Sequence, residues 1–163
     1  MISESETVQV KFVPLSEVRA KEEKLAVIRT TEVKYGGGVV GVVELRTGAY
    51  DDFLKRRVKV QDQFRRDHNL NKNWTPDDYQ GEIIARHAYI GSYIVGASGF
   101  PLNHGDAPRT IKVFDSQGRI DREGERALRE LLDIMPLRKQ IIDAVTALQE
   151  EDEQERARGE KNS

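Results

Sequence analysis

Two runs of residues with high β-propensity flank three consecutive glycines in the first third of the sequence. Residues 25–35 are rich in β-branched side chains, residues 36–38 are all glycine, and residues 39–45 contain four valines. Because glycine adopts the left-handed backbone that tight hairpin turns need, this pattern predicts an antiparallel β-hairpin. A phosphate-binding loop is the alternative, but that motif ends in Gly-Lys-Ser/Thr and opens a helix, whereas these glycines lead into valines.

Apolar residues recur at helical spacing in the middle of the chain. A first helix is predicted after residue 46, with Thr47 as its cap and acidic residues in its first turn. A second helix is predicted with Thr75 as its cap, Pro76 in the first helical position and Asp78 completing a capping box. The apolar spacing continues through this second helix to Ala97, so we expect it to extend that far.

Two further helices are predicted near the C-terminus. After a glycine- and proline-rich region with a short extended piece over residues 111–114, Asp121 is placed to cap a helix. Pro136 interrupts the apolar spacing, which then resumes through Ile141, Val145 and Leu148. Because proline is tolerated in a first turn and disfavoured in a helix interior, we expect a helix, a bend and a new helix.

The expected fold class is therefore α+β, mostly α, with a small N-terminal β-hairpin and strand region followed by a bundle of about four helices. The N-terminal region spans residues 1–46 and includes an alternating strand over residues 8–13 and a short helix over residues 16–24. The helical body spans residues 47–148. Residues 149–163 are rich in charge and form either a solvated extension of the last helix or a flexible tail.

Composition limits the functional classes. Charged residues make up 33% of the chain, the formal net charge is −2, and there is no cysteine. Disulfides and sulfur-ligated zinc are thus excluded, and bulk charge does not indicate a nucleic-acid-binding protein. No apolar run is long enough to cross a membrane, so we expect no membrane association and a cytoplasmic location.

No residue pattern indicates catalysis, a metal or a cofactor. The three histidines (His68, His87 and His104) have no metal-ligand spacing on a shared helix, and His87 fits a packed core position. Ser98 with His104 is a conceivable nucleophile and base, but the Gly-x-Ser-x-Gly elbow is missing. The expectation is a non-enzymatic protein that holds no metal and no cofactor.

One stretch of positive charge stands out against the acidic balance. Residues 55–72 contain seven Lys or Arg residues and two Asp residues. A basic helix face can hold phosphates, but Phe53 and Phe64 fall on the apolar side rather than among the basic residues. We therefore favour a solvated face or a docking face for an acidic protein over a nucleic-acid site.

Three stretches together resemble a known family. They are residues 42–50, residues 94–100 and residues 114–137, the last followed by a closing helix. In this combination the chain resembles the tail assembly chaperones of bacteriophages with long, non-contractile tails (siphovirus type). The resemblance implies a non-catalytic protein that binds and solubilises the tape-measure protein and helps recruit tail-tube subunits in the host cytoplasm, and that is absent from the mature virion.

The resemblance also implies a longer product made by ribosomal frameshifting near the end of the gene. Residues 160–162 can be encoded by GAA-AAA-AAC, which contains a slippery run of adenines. The alternatives are another phage structural or morphogenesis protein, such as a connector or minor tail component, and a small nucleic-acid-binding module.

The partner-binding residues that we expect lie at the end of the second helix, in the following loop and on the last helix. They are Tyr93, Ile94, Phe100, Ile141, Val145 and Leu148. An ordinary core position is the competing interpretation for each. Self-association, through the small residues Gly91 and Ala97, stays open.

Overall fold

The computed structural model describes Leu15 and residues 27–161 of the 163-residue chain. The elements in chain order are β1 (Ile28–Tyr35), β2 (Gly38–Arg46), α1 (Tyr50–Asp67), α2 (Asp78–Tyr89), β3 (Ile94–Gly99), β4 (Arg109–Lys112), α3 (Arg122–Asp133) and α4 (Met135–Lys161). The predicted fold class, α+β and mostly α with an N-terminal hairpin and four helices, is confirmed. The predicted strand over residues 8–13 and helix over residues 16–24 lie outside the described residues.

The predicted hairpin is present. β1 and β2 pair in antiparallel register from Ile28 opposite Arg46 to Tyr35 opposite Gly38. Gly36 and Gly37 form the turn with φ of 60° and 81°. Two successive left-handed residues give a turn whose twist matches that of the flanking strands.

The second helix is shorter than predicted, and its expected last part is a strand. α2 ends at Tyr89, Gly91 turns the chain with a φ of 91°, and residues 94–99 form β3. The apolar spacing gave a wrong prediction because Ile90, Ile94 and Ala97 follow one another at helical intervals, although Ile94 and Ala97 are buried as residues of β3. Glycine suits position 96 in this strand, because the Cβ of any other residue would lie only 3.0 Å from a carboxylate oxygen of Glu44 on β2.

β3 joins the hairpin to β4 in one antiparallel sheet of order β1-β2-β3-β4. Val43 lies opposite Ala97, which in turn lies opposite Ile111, and all three side chains are buried. The sheet therefore contains two strands that precede α1 in the chain and two that follow α2. The predicted boundary at residue 46 does not separate a β region from a purely helical body.

The helix caps differ in detail from the prediction. α2 begins two residues later than expected: Asp77 Oδ1 accepts a hydrogen bond from Gln80 N at 2.7 Å, and Gln80 Oε1 accepts one from Asp77 N at 3.0 Å. This reciprocal pair is a capping box. Thr47 does not cap α1, because its Oγ1 accepts a hydrogen bond from Val27 N instead. Asp121 occupies the predicted cap position of α3 but makes no capping bond with its side chain.

The bend at Pro136 is confirmed, since α3 ends at Asp133 and α4 begins at Met135. α4 packs on β1, α1 and α3, and Leu137, Ile141, Val145 and Leu148 enter the core. The helix continues through residues 149–161, so of the two interpretations of the charged tail the helical extension is the one observed.

Candidate functional site

All six residues predicted to bind a partner are buried. Tyr93, Ile94 and Val145 have no exposed surface, Ile141 is 1% exposed, Phe100 2% and Leu148 5%. Gly91 and Ala97, the predicted self-contact, are buried too. In this conformation these side chains form the core, so any partner must contact other groups.

Tyr93, one of these six residues, is fixed in the core by ring contacts and by a hydrogen bond of its hydroxyl group. Its ring lies 6.2 Å from both the Phe53 and Tyr89 rings, and its hydroxyl donates a 2.7 Å hydrogen bond to Asp152 Oδ2 on α4. Burial, reinforced by the Asp152 carboxylate, raises the pKa of Tyr93 far above its ordinary value. The phenol is therefore a structural hydrogen-bond donor.

An apolar groove lies where the hairpin tip meets the loop after β3. It has a volume of about 490 Å³. Its lining residues are Val39, Val40, Gly41, Val42, Ser98, Gly99, Pro101 and Pro108. Most of them are apolar, and we call this feature the apolar groove.

Local backbone chemistry fixes the loop that forms one wall of the apolar groove. Gly99 and Phe100 both have positive φ, 95° and 46°, and Phe100 N donates to Val40 O at 2.9 Å. The Phe100 ring packs against Gly41, where a Cβ would come within 2.4 Å of it. Burial of Phe100 in this way leaves the next residue, Pro101, to line the groove.

Large apolar side chains are exposed at the same end of the sheet. Val39 is 54% exposed, and Leu102, next to Pro101, is 71% exposed. Tyr35, opposite Gly38 at the hairpin tip, is 66% exposed. Single exposed apolar residues need no explanation, but a cluster beside a groove is typical of an interaction surface.

A second concave feature lies between α1, α2 and α3 and has a volume of about 600 Å³. Its lining residues are Arg56, Lys59, Val60, Gln63, Phe64, Arg66, Asp67, His68, Ile83, His87, Glu125 and Arg129. Four of them are cationic and two are carboxylates, so we call it the basic cleft. It contains part of the basic stretch that the sequence shows.

Two arginines share one carboxylate in the basic cleft. Arg56 Nη2 lies 2.9 Å from Glu125 Oε2, and Arg129 Nη2 lies 3.4 Å from Glu125 Oε1. Arg129 Nε is buried and has no hydrogen-bond partner among the residues that the structure describes. The single negative charge of Glu125 is thus shared by the two positive charges of Arg56 and Arg129, of which it neutralises half.

His87 lies in the same cleft and is partly buried, as predicted for a packed histidine. Its pKa is lowered from 6.5 to about 4, mainly by burial and also by the charges of Arg129 and Arg86, which outweigh those of Asp133 and Glu125. The imidazole is therefore neutral at pH 7. Within residues 27–161 no group of His, Asp or Glu side chains is arranged to hold a metal ion.

Phe64 does not offer an open ring for stacking. Its ring is stacked with His68 at 4.1 Å and with Trp74 at 5.5 Å between centroids. Arg65 and Arg66 lie 3.2 Å and 3.5 Å from the Asp62 carboxylate. Much of the basic stretch is thus engaged within the chain.

Comparison with protein-family models, with curated proteins and with solved structures gives no match. No helix in the described part of the chain is both long and apolar enough to cross a membrane. The apolar groove could not be predicted from the sequence because its two walls lie some 60 residues apart in the chain. Only the run of exposed valines and the two prolines of the loop could have pointed to it.

Proposed function

We propose that the protein is a tail assembly chaperone of a siphovirus-type bacteriophage, which binds and solubilises the tape-measure protein through the apolar groove. Its role is non-catalytic and lies in the host cytoplasm, where it helps recruit tail-tube subunits and then leaves the assembling tail. The observation that carries the proposal is the apolar groove, with the exposed Val39 in its lining and the exposed Leu102 next to its lining residue Pro101. The resemblance of residues 42–50, 94–100 and 114–137 to that family supports it.

The chemistry of the groove suits such a client. A tape-measure protein is a long helical chain whose apolar stripes are prone to aggregate until the tail tube encloses them. An apolar groove masks such a stripe by accepting its side chains. A groove of about 490 Å³ accommodates the side chains of a turn or two, which keeps each contact weak and lets tube subunits displace it.

The test is a pull-down of the tagged full-length protein from phage-infected host cells, with mass spectrometry of the bound proteins. We expect the tape-measure protein and the tail-tube subunit among the bound proteins. Val39→Glu and Leu102→Glu should each reduce recovery of the tape-measure protein by about tenfold or more, because a buried carboxylate is costly in an apolar contact.

Val58→Glu is the matched control. Val58 is 69% exposed, but it lies on α1 and neither it nor its chain neighbours line the groove, whereas Leu102 directly follows the lining residue Pro101. It should leave recovery within about twofold of the unchanged protein. Retention of the protein in purified virions would instead indicate a connector or minor tail component. Equal loss with all three variants, or no tape-measure protein at all, would contradict the proposal.

A further inference from the structure

We infer that the basic cleft binds a small phosphate monoester, with the phosphoryl group held by Arg129 and Arg56 and an apolar body held over Val60 and Ile83. This inference is independent of the proposed chaperone role, because it involves neither the apolar groove nor a phage partner. It rests on the incomplete pairing of two guanidinium groups at the edge of a cleft with an apolar floor.

The first step concerns charge. Glu125 is the only carboxylate within 4 Å of either Arg56 or Arg129 among the described residues, and it is shared between them. Lys59 and Arg66 add two more cations to the lining, which holds one further carboxylate, Asp67, and Arg66 is also paired with Asp62 at 3.5 Å outside the lining. An entering dianion therefore meets an excess of positive charge.

The second step concerns hydrogen-bond donors. Guanidinium groups bind phosphate oxygens through paired N–H donors, and the Arg129 side chain is 40% exposed while its Nη2 lies 3.4 Å from Glu125. Arg56 is held in place from the other side, since its Nε donates to Ile90 O at 3.3 Å. The side chain of His87 also lines the cleft.

The third step concerns size and shape, which favour a small molecule over a nucleic-acid strand. A volume of about 600 Å³ lies in the range of small-ligand sites, and Val60, Phe64 and Ile83 supply apolar surface. Single-strand binding depends on aromatic rings that bases can stack on, but the Phe64 ring already stacks with His68 and Trp74.

The experiment uses the full-length protein in phosphate-free buffer at constant ionic strength and near pH 7. Calorimetry compares three probes: phenyl phosphate, inorganic phosphate and phenol. We expect phenyl phosphate to bind at least about tenfold more tightly than inorganic phosphate, and phenol not to bind measurably. Equal affinity for the two phosphates would overturn the assignment of a monoester.

Two arginines of the same helix provide the variant and its control. Arg129→Gln should weaken phenyl phosphate binding by about tenfold or more, since it removes a cation that contacts the ligand. Arg126→Gln removes an exposed cation of α3 that does not line the cleft, so affinity should stay within about twofold. The same affinity in both variants would overturn the inference.

A spectroscopic readout separates specific binding from general charge attraction. NMR titration of the His87 imidazole should show its pKa rising when phenyl phosphate is present, because a bound anion beside it favours the imidazolium. The groups that act on His87 without ligand are Arg129, Arg86, Asp133 and Glu125. An unchanged His87 titration, or tighter and strongly salt-dependent binding of a thymidine decanucleotide, would overturn the inference.

Discussion

The side-chain amide of Gln140 forms two hydrogen bonds with the backbone of Lys34, 106 residues away in the chain. Gln140 Oε1 accepts from Lys34 N and Gln140 Nε2 donates to Lys34 O, both at 2.8 Å. β1 is an edge strand of the sheet, and the amide satisfies part of its free edge as a neighbouring strand would.

Substitution of Gln140 by alanine should therefore weaken the attachment of α4 to the sheet. Lys34 is exposed and water can replace part of the lost bonding, so we expect a decrease of about 0.5–1.5 kcal/mol in the free energy of unfolding, measured by urea denaturation. Gln154→Ala, an exposed position on the same helix, is the control and should change little. Sedimentation velocity should also show more self-association of Gln140→Ala, because unpaired strand edges pair with one another.

Gly124 should tolerate no side chain. A Cβ at this position in α3 would lie 1.8 Å from the carbonyl oxygen of Lys112, at the end of β4. Because the backbone fixes the positions of both the Cβ and the carbonyl oxygen, a side chain at residue 124 forces the helix away from the strand. Gly124→Ala should lower the free energy of unfolding by about 3 kcal/mol.

Gly81→Ala in α2 is the comparison, because a Cβ there meets nothing within 4 Å. It should raise the free energy of unfolding by about 0.5–1 kcal/mol, since alanine restricts the unfolded chain and favours the helix. Equal effects of the two substitutions would contradict the close approach of α3 to β4.

His87 should make the stability fall as the solution becomes acidic. Its pKa is about 4 in the folded chain against 6.5 for an ordinary histidine, so the unfolded state binds the proton first as pH falls through 6.5. The loss of stability grows down to about pH 4, where the folded state also takes up the proton. The midpoint of urea denaturation, compared at pH 7 and pH 5, measures this loss of stability.

The replacement His87→Gln should remove part of the decrease between pH 7 and pH 5, because the group that titrates differently in the two states is gone. His104→Gln, in the exposed loop between β3 and β4, is the control. If His87→Gln retains the whole pH dependence of the unchanged protein, the partly buried imidazole is not its source.

Asp152 should determine whether the last part of α4 stays attached. Its Oδ2 accepts from the Tyr93 hydroxyl at 2.7 Å and its Oδ1 accepts from Gly48 N at 3.2 Å. Asp152→Ala leaves the phenol without an acceptor, which should cost about 1–3 kcal/mol. Hydrogen exchange of residues 149–161 should become faster, whereas Glu150→Ala, an exposed position one half-turn earlier, should leave it unchanged.

The parts of the fold that local chemistry specifies could be predicted. The glycines at residues 36–38 predicted the hairpin, and Pro136 predicted the break between α3 and α4. Both signals act within a few residues of the feature that they control. The strand β3 could not be predicted in this way, because its state depends on pairing with β2 and β4 rather than on its own spacing.

The candidate surfaces were harder to predict for the same reason. An apolar residue such as Tyr93 or Phe100 gives the same sequence signal in a core as on a binding surface, and the structure buries both. The apolar groove is formed by residues from β2 and from the loop after β3, which only the completed sheet brings together. The basic stretch did contribute to a cleft, but Arg129, which faces it, comes from a distant helix.

The order of strands in the sheet has a consequence for synthesis on the ribosome. The hairpin is complete at Arg46, but β3 begins only at Ile94 and α4, which packs on β1, begins only at Met135. With translation at about 5–20 residues per second, the apolar side of the nascent hairpin waits roughly 5–20 s for the helix that shields it. During that interval we expect Val33 and Val43, which are buried in the complete fold, to be exposed to water. A protein proposed to keep another chain from aggregating is therefore itself prone to aggregate during its synthesis.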